Sequence, residues 1–140
     1  ACAGFVGVNL HGGGTGFYTP IESSDNSPAK PRPMYYGMQF AQQFAGFRVA
    51  PCALKTSANV TAYLGTRGKQ AKLAIVNKSA RQISIELPQR LQSSQPTQRW
   101  TLRGPSLSAK EGVRFEREEL AKTVQETTVP GYSAAILQVG

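Results

Sequence analysis

Apolar residues alternate with polar ones in several short segments, and this period of two is the feature that most limits what the chain can become. Val60, Ala62 and Leu64 alternate, as do Ile83, Ile85 and Leu87, and Trp100 shares a face with Leu102. Period two places alternate side chains on one face of a strand. Turn signals close each segment: Gly65-Thr66-Arg67-Gly68 after the first, Pro88 after the second, Gly104-Pro105 after the third. Residues 72–77 carry a Leu-Ala-Ile-Val centre, and Val113 with Phe115 predicts another short strand. Residues 123–129 form a candidate edge, and Pro130-Gly131 turns the chain into a final apolar strand at 133–139. Short strands at such spacing predict an antiparallel β-sandwich from residue 47 onward. No internal repeat is present.

The first third of the chain follows a different pattern. Residues 5–10 are nearly continuously apolar, too short for a typical helix and suited to a strand covered on both faces. They end in His11-Gly12-Gly13-Gly14-Thr15-Gly16-Phe17-Tyr18. Glycines here allow backbone N–H groups to approach a ligand oxygen without a Cβ in the way, and Tyr18 adds a hydroxyl. Residues 22–32, rich in Ser, Pro, Asp and Asn, predict an exposed excursion. Pro33 is well placed as a first helical residue, and Tyr36, Phe40 and Phe44 recur every four positions, which predicts an amphipathic helix over 33–45 capped by Gly46.

The net charge of +8 over 140 residues permits anionic partners without choosing among them. Its densest part, Arg67, Lys69, Lys72, Lys78 and Arg81, has few interleaved aromatics and no nucleic-acid motif, so a solvated hairpin is expected and no nucleic-acid partner. No apolar run is long enough to span a bilayer, and no membrane partner is expected. Cys2 and Cys52 are compatible with one bridge or with two thiols. Asn59-Val60-Thr61 and Asn77-Lys78-Ser79 are formal glycosylation sequons. The opening Ala-Cys-Ala-Gly-Phe-Val looks like the middle of a fold, which leads us to expect a fragment or processed product.

Independent catalysis finds little support in these residues. His11-Gly12-Gly13-Gly14 matches an esterase oxyanion loop, but Gly131-Tyr132-Ser133-Ala134-Ala135 only approximates a nucleophile elbow, and His11, the single histidine, precedes it. Glu111, Glu116, Glu118, Glu119 and Glu126 lie in a charge-mixed stretch where solvated surface is expected, not the paired carboxylates of a glycosidase. The cysteines lack zinc-ligand spacing, so neither metal nor cofactor is expected.

The order of elements nevertheless resembles the C-terminal part of the heparanase and β-glucuronidase family of retaining glycoside hydrolases. The resemblance rests on Gly16-Phe17-Tyr18, on Pro31-Arg32-Pro33-Met34-Tyr35-Tyr36-Gly37-Met38-Gln39-Phe40, on Lys72-Leu73-Ala74-Ile75-Val76-Asn77, on Trp100-Thr101-Leu102-Arg103-Gly104-Pro105, and on Pro130-Gly131-Tyr132-Ser133-Ala134-Ala135-Ile136-Leu137. It implies a mainly β fold: an antiparallel β-sandwich preceded by one strand and one helix left from a (β/α)8 barrel. Residues 1–46 would be the end of the catalytic barrel and 47–140 the sandwich. Tyr18 would hydrogen-bond a uronic-acid carboxylate, with a backbone donor at Gly16 and further loop contacts at His11, Gly12 and Gly13. The catalytic glutamates would lie on earlier barrel strands, outside this chain, so the segment alone would be inactive. The implied partners are the remainder of the barrel and an acidic carbohydrate, in a secreted, periplasmic or lysosomal setting. The triple glycine departs from the run that animal heparanases carry there. The rival expectation is a non-catalytic sandwich binding acidic glycans through the basic residues between Arg67 and Arg81.

Overall fold

The structure is a computed structural model that describes residues 18–24, 27–92, 97–120 and 125–139. The expected strand at 5–10 and the glycine loop through Gly16 fall outside these residues. The described chain is a mainly β, antiparallel sandwich with a single α-helix. Strands β1 (Ile21–Ser24) and β2 (Ser27–Pro31) lead into helix α1 (Pro33–Gln42). There follow β3 (Arg48–Cys52), β4 (Val60–Arg67), β5 (Gln70–Asn77), β6 (Ile83–Glu86), a 3-10 turn at Gln89–Leu91, β7 (Thr97–Arg103), β8 (Arg114–Leu120), β9 (Glu126–Val129) and β10 (Ser133–Val139).

Six strands make one antiparallel sheet in the order β3-β4-β5-β10-β7-β8, and β6 pairs with β9 as a second, two-stranded sheet. The central strands β5 and β10 are in register from Ser133 opposite Asn77 to Val139 opposite Ala71. Both are apolar without alternation because both of their faces are covered. On one face Ala62, Leu73, Ile75, Ala135 and Leu137 meet Val129, Leu87 and Leu91 from the β6–β9 side. On the other, Ala74, Ile136 and Trp100 pack beneath Phe40 and Phe44 of α1 and its following turn. Ile75 and Ile136 are each 0% exposed, one per face, and full burial of such a side chain contributes roughly 1.5–3 kcal/mol.

The helix begins as expected at Pro33 but ends earlier, at Gln42 rather than 45. Phe44 donates to the Ala41 carbonyl at 3.0 Å and Ala45 to Gln42 at 2.9 Å, so the last turn tightens to bonds three residues back. Gly46 then takes a φ of 77°, the left-handed conformation that ends such a turn. Phe44 lies directly over Gly65 of β4: a Cβ there would come within 2.6 Å of its ring. Glycine at 65, read from sequence as a turn residue, is a packing position inside a strand. The hairpin turns three residues later, at Gly68, where φ is 57°.

Several elements extend beyond the expectations. The polar 22–32 excursion itself pairs as the β1–β2 hairpin, from Ile21 opposite Pro31 to Ser24 opposite Ser27, and Lys30 within it is exposed. The short strand expected at 113–115 is the seven-residue β8, whose Arg-Phe-Glu-Arg-Glu-Glu-Leu sequence suits an outer edge because charge discourages further pairing. Strand β3, with Pro51 inside it, forms the opposite edge, where a missing N–H is tolerated.

Candidate functional site

Tyr18 is the one predicted site residue that the described structure contains, since His11, Gly12, Gly13 and Gly16 lie outside it. Tyr18 is 76% exposed, while Thr19 immediately after it is 4% exposed and anchors the chain. The Arg32 amide donates to the Pro20 carbonyl at 2.8 Å, which closes the base of the β1–β2 hairpin and brings Tyr18 alongside the start of α1. The Arg32 guanidinium reaches back to Glu22 at 3.1 Å. Arg32 is therefore fixed by its main chain and by its side chain.

The connection between β7 and β8, residues 104–113, lies across from this corner. Tyr18, Arg32, Pro33, Met34, Leu107 and Lys110 line an open cleft of about 670 Å³. A neighbouring cleft of about 390 Å³ shares Arg32, Pro33 and Lys110 and adds Glu22, Lys30 and Tyr36. A phenol, a guanidinium and an ammonium thus border one solvent-open space, a donor set matched to a carboxylate or another oxyanion. Arg32 stands within the Pro31-Arg32-Pro33 motif, but nothing in the local pattern marks it as lining. Lys110 is brought in by the β7–β8 connection alone, a non-local contact with no sequence signal.

The basic segment from Arg67 to Arg81 does not form one cationic surface. Lys72 is 8% exposed, on the helix-facing side of β5. Its Nζ donates to the Gln43 carbonyl at 2.7 Å and sits 4.9 Å from the centre of the Phe47 ring and 5.0 Å from that of Trp100. Burial, with the Arg67 charge adding to it, pushes its pKa below the ordinary value. Arg67 lies over the other aromatic partner, Phe47, at 4.7 Å, and bonds Gln70 at 3.0 Å. The expectation that Lys72 belongs to a solvated hairpin is corrected: its stem and charge are used to hold the helix turn onto the sheet. Lys69 remains exposed.

Asn77 is likewise a structural residue. It is 1% exposed. Its Nδ2 donates to the carbonyls of Arg81 at 2.8 Å, Pro130 at 2.9 Å and Val129 at 3.1 Å, and its Oδ1 accepts from the Ser79 amide and hydroxyl. It ties the end of β5 to the β9–β10 turn, so its amide is not presented for glycosylation; Asn59 is exposed. Ser133 is 5% exposed and donates to the Pro130 carbonyl at 2.6 Å, which agrees with the case against an esterase nucleophile. Cys52 is half-buried on β3, and Cys2 lies outside the described residues. Among the described residues no cluster of three or more metal-ligating side chains occurs, and no helix is long and apolar enough to cross a membrane.

No protein-family model matches the sequence, and no curated protein matches it either. Solved structures do resemble the fold. An arabinose-bound GH51 α-L-arabinofuranosidase superposes with a TM-score of 0.64 at 16% identity, over 86% of this chain and 21% of that one. A β-porphyranase of glycoside hydrolase family 86 from the human gut bacterium Bacteroides plebeius gives 0.61 at 10% identity, over 88% and 22%. A GH30 endoxylanase from Clostridium papyrosolvens C71 gives 0.54 at 16% identity, over 77% and 28%. The chain thus spans between a fifth and three tenths of the length of these structures. What it shares with them is the fold of part of a glycoside hydrolase; nothing in these similarities is particular to heparanases.

Proposed function

We propose that the chain is the C-terminal segment of a retaining glycoside hydrolase acting on β-linked uronic-acid (glucuronide) substrates. In this reading residues 1–46 are the end of the catalytic barrel, its last strand, site loop and last helix, and residues 47–140 are a sandwich that stabilises it. The fold shared with three glycoside hydrolase families supports the enzyme class. The observation that carries the uronide reading is the exposed Tyr18 hydroxyl at a cleft bordered by Arg32 and Lys110.

A substrate carboxylate keeps its charge only if donors replace the water it loses. Tyr18 supplies a phenolic O–H, Gly16 a backbone N–H, and the two cations lower the electrostatic penalty of bringing the anion in. His11, Gly12 and Gly13 complete the loop around it. The two carboxylates that retention requires come from the remainder of the barrel, so the segment is inactive alone. The packing of α1 on the large sheet joins the two parts.

Tyr18→Phe in the full-length enzyme is the test. Loss of one hydrogen bond to a charged group is worth roughly 1.5–3 kcal/mol, so kcat/KM for an aryl β-glucuronide falls at least about tenfold while that for the matching β-glucoside hardly moves. Unchanged glucuronide turnover would contradict the role of Tyr18.

A further inference from the structure

Arg99, Arg103 and Arg114 occupy the same face of the β7–β8 pair, the one that looks toward β9. They are treated differently by the fold. Arg99 donates to the Thr128 carbonyl at 2.7 Å and pairs with Glu118 at 3.5 Å. Arg103 and Arg114 stand directly opposite each other in the register, exposed, and neither side chain has a hydrogen bond or ion pair among the described residues. Directly opposed residues of an antiparallel pair have their Cβ atoms about 4.5–5.5 Å apart, and like charges there are destabilising.

Both arginines line an open cavity of about 580 Å³ together with Glu116, Gly112, Gly131 and Tyr132. Tyr132 is, among the described residues, the only non-glycine with positive φ, at 51°. A bulky residue is strained in that conformation, and glycine would adopt it freely. The conformation is held from both sides: the Tyr132 amide donates to the Ser79 carbonyl at 2.9 Å, and its own carbonyl accepts from Gly104 at 3.2 Å. Gly131 rests so close to the Ala80 backbone that a Cβ would collide with it. An opposed pair of arginines and an aromatic residue held at positive φ therefore border one cavity, with Glu116 beside them.

We infer that Arg103, Arg114 and Tyr132 form a subsite for a saccharide unit bearing an oxyanion, a carboxylate or a sulfate. The guanidinia clamp the anion, which removes their mutual repulsion. The Tyr132 ring packs against the sugar, and Glu116 accepts hydrogen bonds from its hydroxyls. Anion recognition stands on the arginine pair itself; that a saccharide carries the anion rests on the function proposed above. Gly112 borders this cavity and also the cleft beside Arg32, so both lie against the one β7–β8 connection and an acidic polymer can meet both.

The test is calorimetric titration of the full-length protein with three oligosaccharides: one carrying glucuronate carboxylates, one neutral except for sulfate esters, and one neutral throughout. At least one anionic ligand should bind, more weakly as salt rises, and its affinity should fall about tenfold or more in the Arg103→Gln, Arg114→Gln double variant. The tighter of the two anionic ligands identifies carboxylate or sulfate as the group held. The double variant should melt no lower than the native protein, because the substitutions relieve repulsion instead of breaking a contact. Equal affinity of native and double-variant protein, equal affinity for the neutral ligand, or no anionic binding would overturn the inference. The same arginine dependence should appear in a Tyr18→Phe background. Absent glucuronide turnover with intact arginine-dependent binding would refute the uronidase reading and leave this subsite standing.

Discussion

The two faces of the large sheet are closed by different means. The face toward β6 and β9 is aliphatic, strand against strand, with Ile75, Leu137 and Val129 at its centre. The face toward α1 is aromatic, and a lysine is built into it: Lys72 reaches past Trp100 and Phe47 to the backbone of the helix's last turn. Phe40 meets Phe115 edge-on at 6.4 Å across the same layer, and Phe44 meets Phe47 at 6.3 Å. Aliphatic burial has no preferred direction, so the first face is held mainly by area, with hydrogen bonds from Arg99 to Thr128 and from Asn77 to Val129 and Pro130 at its margins. Ring edges, a cation and one hydrogen bond are directional, so the second face fixes where a short helix with no fully buried residue must sit.

Substitutions on each side should separate these modes. Ile75→Ala on the aliphatic face should have the largest effect, about 3–5 kcal/mol by chemical denaturation, with the whole molecule unfolding in one step. Asn77→Ala comes next, about 3 kcal/mol, because it strands three backbone carbonyls at the end of the same sandwich. On the helix face Gly65→Ala should lose about 1–3 kcal/mol, and hydrogen exchange should show the loss concentrated in α1, since the added methyl pushes on Phe44. Uniform loss of protection would mean that the two faces are one cooperative layer.

Lys72→Met should change stability by less than about 1 kcal/mol in either direction, because the lost bond to Gln43 is offset by relief from burying a charge. The pH dependence is smaller still. The pKa of Lys72 is lowered on folding from 10.5, so the unfolded chain binds more protons in the window just below that value. Native stability relative to Lys72→Met should therefore rise with pH through that window, be complete above 10.5 and be lost as pH falls through the lowered value. A constant difference would show that the amine is not desolvated.

The same contrast explains how far the sequence could be read. The aliphatic face was legible: Ile83 and Ile85 and the Val60–Ala62–Leu64 alternation carry period two, and unbroken apolarity at 133–139 matches a strand buried on both sides. Tyr36, Phe40 and Phe44 announced the helix, but Tyr36 turned out to border the cleft beside Arg32 while the other two entered the core. Lys72 was misread as surface because a charge looks solvated until its partners are known, and those partners lie far along the chain; Asn77, noted only within a sequon, likewise finds its partners only in the fold. The edge strands β3 and β8 were missed or shortened since exposed residues carry no burial period. Tyr18 could be singled out from its glycine-rich context, but Lys110 enters the cleft only through a tertiary contact.

The most direct test of the central claim is the rate at which the full-length protein hydrolyses an aryl β-glucuronide compared with the β-glucoside of the same leaving group. The kcat/KM for the glucuronide should be at least about a hundredfold higher, as expected when several donors recognise a carboxylate that the glucoside lacks. Equal rates, or a preference for the neutral sugar, would contradict it.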